Sequence, residues 1–281
     1  MGQEIFSEKI MSYKLIALDI DGTLTNDDKE ITERTRKALS KAHAMGVSIA
    51  LASGRPVYGV MPVARELGLD RKGDYVISFN GGQIFDVGIK KTVFEHTLHI
   101  EEALAAYSIA KEFGLVTVTY KDDHLITEDP DDQYVQIESR INHMAAEKTP
   151  DFSECLDFRP VKCLVVGEEK RIRECEEEAL RRLGARLSIY RSTPYFLEIM
   201  PKGIDKGAAL SRLVGLTGLI RQEIMACGDG MNDLAMIRFA ELGVAMANAE
   251  PEVREAADFV TDSNNDDGVA KAVERFILNE K

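Results

Sequence analysis

Residues Lys14–Asp28 read KLIALDIDGTLTNDD. Leu15 to Leu18 is an unbroken apolar run of the kind that forms a buried strand, yet it leads into two carboxylates, Asp19 and Asp21, with Gly22 and Thr23 directly behind. Residues i and i+2 of an extended strand face one side and i+1 the other, so Asp19 and Asp21 face one space while Ile20 faces another. Two carboxylates in one space repel unless a cation sits between them or one keeps a proton. Hard oxygen ligands of this kind favour magnesium. Alone, the stretch also fits a solvated acidic turn in which Gly22 takes a positive φ, so other strand ends have to decide.

The flanking pattern sets the fold. Thr32–Ala44 reads as a helix ending at Gly46, Val47–Ala52 as a strand, Pro56–Leu67 as a helix closed by Gly68, and Tyr75–Phe79 as a strand. This βαβαβ alternation is the signature of a parallel sheet covered by helices. The last third repeats it, with strands at Phe196–Met200, Glu223–Cys227, Gly243–Met246 and Phe259–Thr261 and helices at Lys206–Val214 and Asn232–Ala240. Between them the pattern changes. Leu115–Lys121 and His124–Glu128 are separated only by Asp122 and Asp123, too few residues for a crossover, so they predict an antiparallel hairpin. Helices are expected at Asp131–Ala146 and Glu169–Leu183, with a strand at Lys162–Val166. The expected organisation is α/β: a Rossmann-like parallel-sheet core from residues 12–86 and 193–281, an inserted α+β cap domain at 87–192, and an N-terminal extension at 1–11.

Composition narrows the function. At 281 residues with 44% hydrophobic content, the chain can fill a substantial core. Its net charge of −13 argues against nucleic acid and anionic membranes as partners. No apolar run approaches a membrane span and no signal peptide opens the chain, which makes the cytoplasm the expected location. Cys155, Cys163, Cys175 and Cys227 show no metal-binding spacing and read as reduced, packed thiols. The histidines at 96, 99, 124 and 143 and the acidic run Asp129–Asp132 fall in or near the insertion, as ordinary surface or core groups.

Three further strand ends carry chemistry. Ser53, Gly54 and Arg55 precede Pro56 at a helix start, where a hydroxyl and free N–H groups make an anion seat. KGIDKG places Lys206 at another helix start, one residue after a candidate N-cap, Asp205; a cation there opposes the helix dipole, which favours a functional reason. MACGDGMNDLAM closes a strand with Gly228, Asp229, Gly230, Asn232 and Asp233 before a helix, repeating the acidic layout of the first strand end. In an open parallel sheet, ligands bind beyond the carboxyl ends of the strands.

These four motifs in this order, DIDGT, ASGR, the Lys of DKG and GDGMND, closely resemble those of the haloacid dehalogenase-like phosphohydrolases. The insertion between the second and third motifs, NGG at Asn80–Gly82, and PYFLEIMPKGIDKG resemble the Cof branch, most similar to its YidA group of sugar-phosphate phosphatases. The resemblance implies a mobile C2-type cap over a Rossmann-like core, and Mg²⁺-dependent hydrolysis of small phosphate monoesters. By resemblance, Asp19 is the nucleophile, forming an aspartyl-phosphate, and Asp21 the general acid and base. Magnesium is then held by Asp19, the carbonyl of Asp21, and Asp229. The phosphate is held by the N–H of Ile20 and by Ser53, Gly54, Lys206 and Asn232, with Asp233 orienting Lys206 or a bound water. The implied partner is a small phosphorylated metabolite, bound by a monomer or homodimer. A phosphosugar mutase and a non-catalytic phospholigand-binding protein are the alternatives.

Overall fold

The computed structural model describes residues 13–280; the expected extension at 1–11 lies outside them. Along the chain the elements are β1 (Leu15–Asp19), α1 (Glu33–Ala44), β2 (Ser48–Ala52), α2 (Val57–Glu66), β3 (Tyr75–Ser78), β4 (Gln83–Asp86), β5 (Lys91–Glu95), α3 (Ile100–Glu112), β6 (Val116–Lys121), β7 (His124–Thr127), α4 (Gln133–Asn142), β8 (Ala145–Lys148), β9 (Cys163–Val166) and α5 (Glu169–Leu183). They continue with β10 (Leu187–Thr193), β11 (Phe196–Pro201), α6 (Lys206–Thr217), β12 (Ile224–Gly228), α7 (Leu234–Phe239), β13 (Leu242–Ala245), α8 (Pro251–Ala256), β14 (Phe259–Val260) and α9 (Gly268–Phe276). The described residues divide into two compact units, 13–50 with 211–280, and 51–210. The boundaries expected at 86/87 and 192/193 fall inside the second unit.

In the first unit, strands run in the order β14-β13-β12-β1-β2, and β1, β12, β13 and β14 are paired in parallel. Leu15, Ile16 and Leu18 of β1 are fully buried, each contributing about 1.5–3 kcal/mol over exposure. The register sets Leu18 beside Cys227, so β1 and β12 finish side by side. The Thr32 side chain caps α1 by accepting from the N–H of Thr35, which is why the helix expected at Thr32 starts one residue later. α1 packs against α9.

In the second unit, β3, β4 and β5 form an antiparallel meander. A separate six-stranded sheet has the order β10-β11-β9-β6-β7-β8. The β6–β7 hairpin is antiparallel as expected. α3 and α5 cover one face of this sheet through Ala103, Ala106, Ile172 and Cys175, and α4 covers the other through Val135. Two expectations fail here. Phe196–Met200 does not join a parallel core sheet; as part of β11 it pairs antiparallel with both β10 and β9, because the chain turns back immediately after β10, a strand hidden by its mixed polarity. The helix expected over Asp131–Ala146 stops at Asn142, where His143 takes a left-handed φ of 54°, and Ala145–Lys148 joins the sheet beside β7. The unassigned stretch Ile100–Glu112 is helical.

No helix among the described residues is long and apolar enough to cross a membrane. The four thiols are free. Burial pushes those of Cys163, Cys175 and Cys227 up to about 12, which keeps them unreactive.

Candidate active site

The parallel register of β1 and β12 brings Asp19, the last residue of β1, to the same edge as Asp229, the residue after β12. Asp19 is buried, and carboxylate oxygens of Asp19, Asp229 and Asp233 lie within 4.8 Å of one another. Local chemistry holds this arrangement. Gly22 takes a φ of +84°, and a Cβ there would stand 2.5 Å from Asp229 Oδ2, so glycine is required both by conformation and by space. Thr23 donates its hydroxyl to Asp229 Oδ1 at 2.8 Å. The turn closes through Thr25, whose N–H and hydroxyl both donate to the carbonyl of Ile20 at 3.0 Å.

Asp233 is fully buried, and its Oδ2 accepts the N–H groups of Asp229 and Gly230 at 3.0 Å each. It therefore fixes the turn that carries Asp229. It does so from a 3-10 turn at Met231–Asp233 that precedes α7, which corrects the continuous helix expected from Asn232. Asn232 is exposed on that turn. Asp21 lies outside the carboxylate cluster; its Oδ1 is 3.1 Å from Lys29 Nζ. Both partners of that pair are well exposed, so it is worth little energetically and the carboxylate exchanges it readily.

A hard divalent cation fits the cluster. All its donors are carboxylate oxygens, two of the three side chains are buried, and the missing side chain at Gly22 leaves room for the Asp229 carboxylate.

In the second unit, Ser53 follows β2 and is buried. Its N–H donates to Ile77 O at 2.8 Å, and its hydroxyl accepts the N–H of Arg55 at 3.2 Å. Lys206, the first residue of α6, is fully buried. Asp205 caps that helix as expected, accepting the N–H of Ala208 at 2.7 Å. The turn after β3 brings the two segments together. Phe79 and Asn80 donate their N–H groups to Arg55 O at 3.0 Å and Ser53 O at 2.9 Å, while Gly81 packs against the carbonyl of Asp205, 2.4 Å from where a Cβ would sit.

Two supporting residues escaped the sequence reading. Thr23 stood inside the quoted motif, but nothing there named Asp229 as its acceptor. Asn248, which donates to Gly22 O at 2.8 Å, lies 226 residues away with no local signal.

A family model described as haloacid dehalogenase-like hydrolase matches residues 16–273. The chain is 32% identical over 268 residues to the Bacillus subtilis 5-amino-6-(5-phospho-D-ribitylamino)uracil phosphatase YcsE, covering 95% of this chain and 97% of that one. It resembles the crystal structure of a haloacid dehalogenase-like hydrolase from Bacteroides thetaiotaomicron with a TM-score of 0.90 and 44% identity, over 95% of this chain and 100% of the other. The structure of the HAD subclass IIB sugar phosphatase BT4131 matches with a TM-score of 0.77 and 27% identity, over 94% and 98% of the two chains. With four ordered motifs, an acidic cluster at the ends of adjacent parallel strands, and these matches along nearly its whole length, the chain belongs to the haloacid dehalogenase-like hydrolases.

Proposed function

We propose that this hydrolase is a Mg²⁺-dependent phosphatase of small phosphate monoesters, sugar phosphates foremost, working through an aspartyl-phosphate. The observation that carries the reading is the carboxylate cluster of Asp19, Asp229 and Asp233 at the ends of β1 and β12. The sugar-phosphate preference rests on the likeness to BT4131 and on the ribityl phosphate named for YcsE.

In this reading Asp19, the backbone carbonyl of Asp21, and Asp229 hold the magnesium ion, which supplies charge neutralisation for the transferring phosphoryl group. An Asp19 carboxylate oxygen attacks phosphorus while the bond to the leaving oxygen breaks, and Asp21 gives that oxygen its proton. Water then attacks the phosphorus of the aspartyl-phosphate, Asp21 takes a proton from it, and the bond to Asp19 breaks to release inorganic phosphate. The N–H of Ile20 and the groups of Ser53, Gly54, Lys206 and Asn232 bind the phosphate oxygens. Asp233 keeps the Asp229 turn in place through its two backbone bonds.

The test is inorganic phosphate release from sugar phosphates, sugar-alcohol phosphates, nucleotides and acyl phosphates, with Mg²⁺ or chelator, for wild type beside Asp19→Asn. Release that needs Mg²⁺ and falls by about four orders of magnitude or more in the near-isosteric variant is expected. Appreciable turnover by a pure, folded Asp19→Asn sample would rule out the covalent route.

A further inference from the structure

The turn after β3 is wound against its own backbone preferences. Phe79, Asn80 and Gly81 take consecutive φ values of 51°, 53° and 108°. Glycine accepts this freely and asparagine tolerates it, but for a bulky aromatic residue it is a costly outlier. Such a conformation persists only where its surroundings over-determine it.

Those surroundings are a buried polar network on the six-stranded sheet. The Phe79 ring stands edge-on to Tyr120 at 5.2 Å. Lys162 Nζ lies 5.7 Å from the Phe79 ring centre and 4.8 Å from that of Tyr120. Lys162 is itself fixed by Glu198 at 2.9 Å, whose other oxygen accepts the Ser192 hydroxyl at 2.8 Å. Burial works against the lysine charge, but Glu198 and Glu138 overcome it and hold the ammonium above its ordinary value. Tyr120 donates to Glu138 at 2.6 Å, and Asn80 Nδ2 donates to Tyr190 Oη at 3.3 Å.

On its other side the turn grips both segments that the phosphatase reading assigns to the phosphate. Its N–H groups hold the carbonyls of Ser53 and Arg55. A Cβ on Gly54 would stand 3.2 Å from Asn80 Nδ2, and Gly81 abuts the residue before Lys206.

We propose that the turn Phe79–Gly82 holds the phosphate seat in register, with Asn80 as its positioning residue and the buried Lys162–Glu198 network keeping it wound. The proposal rests on the phosphatase reading, in which Ser53, Gly54 and Lys206 receive the phosphate. Asn80 acts here through the Ser53 loop and Tyr190.

Two variants separate positioning from folding. Asn80→Gly accepts the left-handed backbone without cost and removes the side chain; Asn80→Asp keeps its shape and its tolerance of that backbone but removes the donor. The full-length variants and wild type are compared by thermal melting, by calorimetric titration with inorganic phosphate in Mg²⁺, and by phosphate release from a sugar phosphate and from acetyl phosphate. Both variants are expected to melt at or near the wild-type temperature, to bind phosphate about tenfold more weakly, and to lose at least about tenfold in kcat/KM on both esters alike, since misplacing binding groups penalises every substrate. Unchanged phosphate affinity and rate in Asn80→Gly would overturn the proposal. So would a loss confined to the sugar phosphate, which would make Asn80 a leaving-group contact. A wild type that binds phosphate but turns over no ester would refute the phosphatase reading alone, because the titration still decides the role of Asn80.

Discussion

The turn after β1 and the turn after β3 both spend a left-handed glycine, at Gly22 and Gly81, yet they are held in opposite ways. Around Gly22 the restraints are small and polar: the Thr25 bonds to Ile20 O, the Thr23 bond to Asp229, and the Asp233 bonds to two N–H groups. Around Gly81 they are bulky and buried: a phenylalanine ring against Tyr120 and a lysine paired with Glu198. The first turn is fixed mainly by hydrogen bonds of its own two loops. The second is fixed by side chains from four strands or their flanks, so its geometry depends on how well that sheet is packed.

This difference is open to being broken. The largest effect is expected from Lys162→Met, which strands Glu198 in the interior and should cost about 3–5 kcal/mol of stability in urea unfolding. The double variant Lys162→Met/Glu198→Met should recover most of that, because a well-packed apolar pair often replaces a buried ion pair without loss. A single variant that loses no more than the roughly 1 kcal/mol of a surface pair would show that packing does not govern this region.

A smaller effect is expected from Gly22→Ala. The added methyl group meets Asp229 and forces a left-handed alanine, costing about 1–2 kcal/mol of stability and lowering Mg²⁺ affinity by about 10–100-fold. Calorimetric titration with Mg²⁺ measures the second quantity, and undiminished affinity would mean that the Asp229 carboxylate does not need its observed position. Thr23→Val sharpens the comparison most gently. It keeps the buried shape and deletes one donor to Asp229, for an expected loss of about tenfold in Mg²⁺ affinity. If Thr23→Val weakens the metal more than Gly22→Ala does, the hydrogen bond rather than the space left by Gly22 is what keeps Asp229 in place.

The carboxylate turn was the more legible of the two for the same reason that it is local. Asp19, Asp21, Gly22 and Asp229 announce themselves at the ends of apolar runs, but the period-two rule that set Asp19 and Asp21 to one space stops with the strand at Asp19, and Asp21 lies outside the cluster beside Lys29. Asp205 was similarly readable as a cap, whereas Thr32 was read as helical and instead caps α1. Less legible were β10, whose LSIYRST mixes polarity, and the end of α4 at His143, because short elements owe their form to neighbours distant in sequence. NGG could be quoted, but Phe79 before it gave no sign that it too would be left-handed.

The sequence by itself determined which polar residues stand at the strand ends and the parallel alternation that carries them, because strand and helix periodicities and turn residues act over a few positions. Only the tertiary structure decided that β11 runs antiparallel in the six-stranded sheet, that Thr23 holds Asp229 while Asn248 holds the carbonyl of Gly22, and that Lys162, Glu198 and Tyr120 grip Phe79. These are contacts between residues far apart in the chain, chosen by the burial of whole faces and the pairing of buried charges, and no short window of sequence contains both partners.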